Sequence, residues 1–327
     1  MGLEEEIKDK AMELGFDAAG ITDASPVGAE HVERLEAWLR AGYAGRMEYM
    51  HRNVDKRIDP AQLRRGAKAV IVVALNYKEQ TPDTAESATS HLRSPIADSK
   101  SAVKSTGQVA LYAQHEDYHP FIKSLLRELA GFLSVRSGRP DRYKICVDSA
   151  PLAEKALAAR AGLGFIGRNH LLIHPRLGPG TLLGELVTTV ELKSDAPCEG
   201  TCRDCGRCVE ACPTGALRSD GLLDATRCIS YVTQYGSRED GPVSDTGNWL
   251  FGCDECLLAC PYHQQAPARA NRSFRFYPER ARLNLRELLA LDEPAFEKRF
   301  ADSPLKRLGL ASLQQTARRI EGKKERT

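Results

Sequence analysis

Apolar residues recur at helical spacing over residues 3–14 and again over 29–42 ("AEHVERLEAWLRAG"), which predicts two amphipathic helices. Between them "DAAGITDA" (17–24) reads as a short strand and turn. "KAVIVVALNY" (68–77) differs in kind: a continuous, β-branched apolar run, the mark of a buried strand. From 78 to 107 Ser, Thr, Pro, Asp and Lys dominate, predicting a mobile surface loop. Helical spacing resumes from about Pro120 to Val135, and a strand is expected over 143–148 ("YKICVD"). "APLAEKALAARAGLGFIGRN" (150–169) predicts a helix that stops in a glycine-punctuated turn. "HLLIHP" and "GTLLGELVTTVEL" alternate as a pair of strands joined through "RLGPG" would. Beyond Cys198 the texture changes to short helices and cysteine loops, and helices return near 284–291 and 305–320. The pattern predicts an α+β chain in three parts: an α/β domain over 1–195, a cysteine-rich module over 196–265, and a basic helical segment over 266–327.

Composition changes this picture little. A chain of 327 residues, 42% hydrophobic and 28% charged, can bury a core without disulfide staples. A formal charge of +2 gives no whole-protein case for nucleic-acid binding, so only local distribution matters. The N-terminus is acidic and amphipathic with no apolar h-region, no twin-arginine leader is visible, and nothing approaches eighteen consecutive apolar residues. A cytoplasmic protein with no membrane association is expected. In that compartment thiols stay reduced, and dense cysteines favour metal binding.

The cysteines sharpen it. "CRDCGRCVEACP" (202–213) has the C-x2-C-x2-C-x3-C-P spacing of a two-cluster ferredoxin, in which the fourth cysteine serves the other cluster. A shorter echo, "CDECLLACP", follows at 253–261. Cys202, Cys205 and Cys208 would hold one [4Fe-4S] cluster, completed by Cys260; Cys212, Cys253 and Cys256 would hold a second. The second set is one ligand short, and Cys228, in "TRCISY", balances it. Of the ten cysteines, Cys146 and Cys198 are left over. Structural zinc is the competing reading, since C-x2-C pairs also bind zinc, but it has no use for Pro-terminated triplets. Clusters only move electrons, so the large domain must hold a redox site.

The densest candidate for that site is "CVDSAPLAEKALAARAGLGFIGRN" (146–169), where Asp148 ends a strand just before a helix. Asp148 or Ser149 could equally cap that helix. "GLGFIG" ends a helix and does not open one, so it is a weak nucleotide fingerprint.

The stretches "KRIDP" (56–60), "EDYH" (116–119), "VDSAPLAEKALAARAGLGFIGRN", "LGEL" (183–186), "CRDCGRCVEACPTGAL", "RCISYVTQ" and "FGCDECLLACP" together resemble the epoxyqueuosine reductases, cobalamin-dependent enzymes of tRNA queuosine synthesis. They span about residues 45–262 in the family's order. The resemblance implies a base-off cobalamin against the domain over 1–195, which would also bind substrate. It implies electrons relayed from an external donor such as flavodoxin or ferredoxin, through both clusters, to cobalt. It also implies an aspartic acid, matched by Asp148, that protonates the leaving oxygen; such an acid is expected to have its pKa raised by burial. Arg57, Arg168, Asn169 and Ser230 fall on positions that the resemblance places near the cofactor. Tyr118 and His119 belong to the "DYH" turn, where His119 could also be a structural histidine. Phe165 and Arg168 stand where the family commonly has Trp and Lys. Cys146 and Asp148 would share one face of a strand, so an active-site role for Cys146 competes with that of a small buried hydrophobe. The sequence stops before the helical-repeat extension of some relatives, so contacts made there are not expected.

Residues 269–286 carry Arg269, Arg272, Arg275, Arg280, Arg282 and Arg286 against one acid, with Phe274, Phe276 and Tyr277 interleaved. Arginines among aromatics suit phosphate contact and base stacking, though a solvated surface accounts for the same composition. With a tRNA anticodon stem-loop as the implied partner, Arg269, Arg272 and Arg275 become candidate contacts, and the resemblance adds Gln234. A monomer is expected. The alternatives are a related cobalamin and iron–sulfur reductase acting on another substrate such as an organohalide, or a non-catalytic ferredoxin-like electron carrier.

Overall fold

The computed structural model describes residues 2–80, 106–138, 143–202, 205–236, 243 and 245–324. Most of the polar stretch expected to be a surface loop, residues 81–105, lies outside the described residues. In chain order the first half contains α1 (Leu3–Glu13), β1 (Ala18–Asp23), α2 (Ala29–Arg40), α3 (Val54–Ile58), α4 (Pro60–Leu63), β2 (Ala69–Asn76), β3 (Thr106–Val109), α5 (Tyr118–Ser137) and β4 (Tyr143–Cys146). The helix α6 (Glu154–Arg160) follows, then β5 (Phe165–Ile166), β6 (Leu172–Ile173) and β7 (Thr181–Thr188).

All eight residues of β2 are buried because both faces of its sheet are covered. Ile71, Val73 and Leu75 share a core with Ile7 of α1 and with Ile122, Leu126 and Leu129 of α5. Val70 and Val72 join Leu157 and Ala158 of α6 on the other side. The period of two along the strand thus divides one apolar run between two cores. Gly184 of β7 lies opposite Val73, and a Cβ there would stand 2.6 Å from the Ile122 side chain, so the glycine lets α5 rest directly on the sheet.

The strand order is β1-β2-β7-β4, and every neighbouring pair is antiparallel. This corrects the α/β expectation. Alternating helical and strand periods reveal which elements exist, but a parallel βαβ unit also requires the chain to return in the same direction, and here it does not. The expected pairing of "HLLIHP" with "GTLLGELVTTVEL" is corrected too. Both strands form, but β6 pairs with β5, because β7 has β2 on one edge and β4 on the other.

The cysteine module contributes α7 (Arg207–Glu210), α8 (Ile229–Tyr235), β8 (Trp249–Phe251), α9 (Glu255–Leu258) and α10 (Pro261–Gln265). The C-terminal part adds β9 (Arg282–Asn284), α11 (Leu285–Ala290), α12 (Glu293–Arg299) and α13 (Leu310–Lys324). The helix α12 was not anticipated. A second sheet, β8-β3-β9, draws its strands from three distant segments. It is covered by Leu285, Phe296, Phe300, Leu313 and Ile320 of the C-terminal helices. The tail is therefore built into the fold through a core of its own.

Candidate functional site

Two groups of thiols emerge from the short helices. Burial raises the Cys208 thiol, and neighbouring Cys202, Cys205 and Cys260 add to it. Burial pushes Cys256 up to about 12, with Cys228, Asp254, Cys212 and Cys208 contributing. Cys253 is raised the same way, burial first, with Cys256 and Cys228 among its neighbours. All ten cysteines are free of disulfides. Cys228 is the N-cap of α8 and Cys260 that of α10, where Pro261 fits the first helical position. Backbone N–H groups of Tyr231 and Ser230 point at Cys228, and those of Tyr262 and His263 at Cys260. The backbone N–H of Arg168 approaches the Cys202 sulfur at 3.5 Å. Among the described residues no three ligand side chains converge tightly enough to hold a single metal ion. Crowded, mostly part-buried thiols, several of which receive backbone N–H groups, suit anionic sulfur around a cationic cluster core, so the donor set fits iron–sulfur clusters.

A cavity of about 1190 Å³ adjoins the module, with Asp148 on one wall. Gln234 and Tyr235, at the far end of the helix that begins after Cys228, line another part of it. The strand β4 stops at Cys146, so Asp148 does not end a strand as expected, and Ala153 rather than Asp148 or Ser149 is the N-cap of α6. Asp148 instead sits in the left-handed region at φ 54°, a conformation that costs a non-glycine residue strain and recurs at functional sites.

His119 joins this residue to two others. Its Nδ1 lies 2.8 Å from Asp117 Oδ1, and its Nε2 lies 3.3 Å from Asp148 Oδ2. Arg307 Nη1 lies 2.7 Å from the same Nε2, and its Nη2 donates to Asp117 at 3.2 Å. Asp117 also caps α5 by accepting from His119 N, which fixes the ring's position. Burial opposes a charged imidazole, but the bonds from Asp117 and Asp148 outweigh it and raise His119 above its ordinary value. For Asp148, partial desolvation on the cavity wall works to raise the pKa, and the hydrogen bonds from His119 and Tyr118 with the charge of Arg307 reverse that and hold it below the carboxylate range. The expectation of a raised acid is therefore overturned: His119, Tyr118 and Arg307 hold Asp148 in its ionised form.

Two further carboxyls lie beneath, unassigned from sequence. Glu154 Oε1 accepts from Asp148 N at 2.5 Å. Glu185, in β7, is fully buried, neither of its oxygens meets a donor, and the group facing it is the Glu154 carboxyl. Burial and then the charge of Asp148 raise Glu154 to about 7, and burial and then the Glu154 charge hold Glu185 well above its ordinary value. Glu185 had a signal, a lone acid in an otherwise apolar strand. Arg307 had none, because only the tertiary fold brings it to His119.

Of the residues expected near the cofactor, Arg57, Tyr118, His119 and Asp148 line the cavity, as does Gln234. The buried Nε of Arg57 has no hydrogen-bond partner, an unfilled donor that a carbonyl-rich ligand would satisfy. Arg168, Asn169 and Ser230 stand outside the lining: the Asn169 side chain reaches Cys256 O at 3.4 Å, and Ser230 anchors Gln234 at 3.2 Å. The Cys146 thiol is fully buried in a core beside α6 and raised to about 12, so it is a small hydrophobe that shares no strand face with Asp148.

Arg269 must be corrected as a surface contact. It is buried, ion-paired to Glu79 and donates to Phe274 O at 2.9 Å. Arg280 is likewise committed to Asp302 and to His115 O, and Phe274 lies in the core. Arg272 and Arg275 are exposed at 62%, with looser contacts to Glu79, and to Glu116 and Asp302.

Among known proteins, a model described as a 4Fe-4S double cluster binding domain matches residues 201–263, and one described as epoxyqueuosine reductase QueG matches residues 57–149. Epoxyqueuosine reductase of Vibrio cholerae is 36% identical over 312 residues, 94% of this chain and 79% of that protein. A crystal structure of epoxyqueuosine reductase with an epoxyqueuosine-modified tRNA-Tyr stem loop superposes with a TM-score of 0.83 at 29% identity, covering 97% of this chain and 80% of the other. The Bacillus subtilis enzyme, solved with its catalytic aspartate loop swung out of the active site, matches with the same score, identity and coverage. Identity of this level along nearly the whole chain, together with both family matches, establishes that the chain belongs to the epoxyqueuosine reductase family of oxidoreductases.

Proposed function

We propose that this chain reduces epoxyqueuosine to queuosine at the wobble position of tRNA. The observation that carries the reading is a single large cavity walled by the Asp117–His119–Asp148 line and by the helix that Cys228 begins. Residues 1–195 then supply most of the reaction chamber, 196–265 the electron relay with Gln234 and Tyr235 on the chamber wall, and 266–327 a basic flank that brings Arg307 to His119. Cys202, Cys205, Cys208 and Cys260 hold one [4Fe-4S] cluster, and Cys212, Cys228, Cys253 and Cys256 the other.

Cobalamin, base-off, is the group the cavity suits, with Arg57, Tyr118 and Gln234 along its edge; when bound it supplies a low-potential cobalt centre for two-electron reduction. The chain's own residues manage the protons. Asp117 fixes the His119 ring, His119 relays a proton to Asp148 across the 3.3 Å contact, and Asp148 delivers it to the departing oxygen. The strained backbone at Asp148 and the swung-out aspartate loop of the Bacillus subtilis enzyme both favour a loop that moves during turnover. Electrons come from a small external donor such as flavodoxin or ferredoxin. The chain works as a monomer in the cytoplasm; among the described residues no helix is long and apolar enough to cross a membrane.

Anaerobic reconstitution with iron, sulfide and cobalamin, followed by assay on tRNA carrying epoxyqueuosine, tests the reading. Asp148→Asn should abolish turnover while clusters and cofactor stay in place. Full activity in that variant would remove Asp148 as the proton donor.

A further inference from the structure

Converting an epoxide to an alkene breaks two C–O bonds, forms one C=C and two O–H bonds, and consumes two electrons and two protons. The electrons arrive singly through the clusters from a low-potential donor. The His119–Asp148 line accounts for one proton and leaves the other without a source. We propose that Glu154 and Glu185 hold the second proton as a pair, and that Glu154, the member on the cavity wall, hands it to the reacting oxygen. This rests on the reductase reading above.

Three carboxyls from three elements meet here: Asp148 beyond β4, Glu154 at the first position of α6, and Glu185 in the middle of β7. Glu154 Oε1 grips Asp148 N at 2.5 Å, so the pair is attached to the loop that carries the donor. Glu185 has no exposed surface and no donor on either oxygen. Asp148, Glu185 and Lys155 face Glu154, with Arg57 and Tyr118 also within its field, while Glu154, Asp148 and Cys146 face Glu185. Lys155, a cation in the field of Glu154, spends its ammonium on His170 O at 2.6 Å. Neither glutamate has an ion-pair partner among the described residues.

Two carboxylates cannot face each other in a buried site while a third is ionised beside them, so at least one proton stays on the pair at neutral pH. Glu185, lacking any other partner, keeps that proton and donates it toward Glu154. Glu154, raised to about 7 by burial and by Asp148, takes and releases the next one near neutral pH. Glu154 also lines the cavity, so its proton has a direct path to the reaction and is replaced from solvent afterwards. No comparable reservoir would exist if Glu185 were merely structural, since a neutral apolar residue would fill its place in the strand at lower cost.

The test uses the holoenzyme with both clusters and cobalamin. Infrared spectroscopy should find a neutral carboxyl band at pH 7 that Glu185→Gln removes, and a second band titrating near neutrality that Glu154→Gln removes. In single turnovers on the modified stem loop, the wild-type rate should fall roughly tenfold per pH unit above neutrality. Glu154→Gln should be about a hundredfold slower at pH 6.5, with a flat profile through that range. Absence of a neutral carboxyl band from the wild type at pH 7, or a wild-type pH profile in Glu154→Gln, would overturn the proposal. Wild-type enzyme that shows both bands and leaves the stem loop unreduced would overturn the reductase reading, and the destination of the proton with it.

Discussion

Glu185 sits in an environment far from what its chemistry prefers, fully buried with no donor on either oxygen, and stability should report it. In the unfolded chain a glutamate releases its proton around the ordinary value of 4.5, whereas burial and then the neighbouring Glu154 charge hold it on the folded one. The folded state therefore binds more protons than the unfolded state above that value. Wild-type stability must fall as pH rises through the interval between the two. Gln carries no proton to lose and keeps the shape and a hydrogen-bond donor for Glu154. Glu185→Gln should raise the melting temperature, and by more near about pH 8 than near about pH 5. An equal shift at both pH values would mean that Glu185 is ionised in the folded protein. Asp148 has the opposite sign: its pKa is lowered, so its contribution is present above the ordinary value of 3.8 and disappears only as pH falls below it.

At the scale of elements, the cysteine module and the N-terminal half are fastened at identifiable points. Gly45 adopts φ 57°, and a Cβ there would stand 2.3 Å from the Tyr231 hydroxyl of α8, which accepts from Arg46 N at 2.6 Å. Gly45→Ala should cost about 1–3 kcal/mol in chemical denaturation and loosen the helix that Cys228 caps. Unchanged stability would show that the contact is slack. Cys228 itself gives a sharper test. If Cys228 is the eighth ligand, as proposed, its loss should spare one cluster, and Cys228→Ser should hold about four irons per chain against about eight in the wild type. Eight irons in the variant would release Cys228 from the ligand set. Element existence was legible because periodicity is local: β2, α5 and the cysteine loops formed where the pattern put them. Partnership was not legible. The pairing of β6 with β5, the antiparallel direction of the sheet and the union of β3 with β8 and β9 depend on contacts across long stretches of chain. For the same reason Asp148 and His119 were found from motifs, while Arg307, far along the chain, was not.

Over the whole molecule the charge is nearly balanced, at +2 with a pI near 8.0, so attraction to a polyanion must come from the arrangement of cations. The arginine-rich segment splits on this point. Arg269 and Arg280 spend their charge inside, tying the tail to the N-terminal half, and only exposed members such as Arg272 and Arg275 can meet phosphate. Even Arg275 is shared with Glu116 and Asp302, so its field at the surface is partly cancelled. A stem loop should therefore be held by few phosphate contacts, with a shallow dependence of binding on salt. Replacing both Arg272 and Arg275 by Ala should lower the slope of log K against log salt by about 1–2, and leave the melting temperature within a degree or two of wild type. Replacing Arg269 should do the reverse, costing stability because Glu79 and two carbonyls lose their buried partner, while the salt slope measured on the folded fraction stays the same. If the double replacement leaves the slope untouched, the RNA lies over another face of the protein.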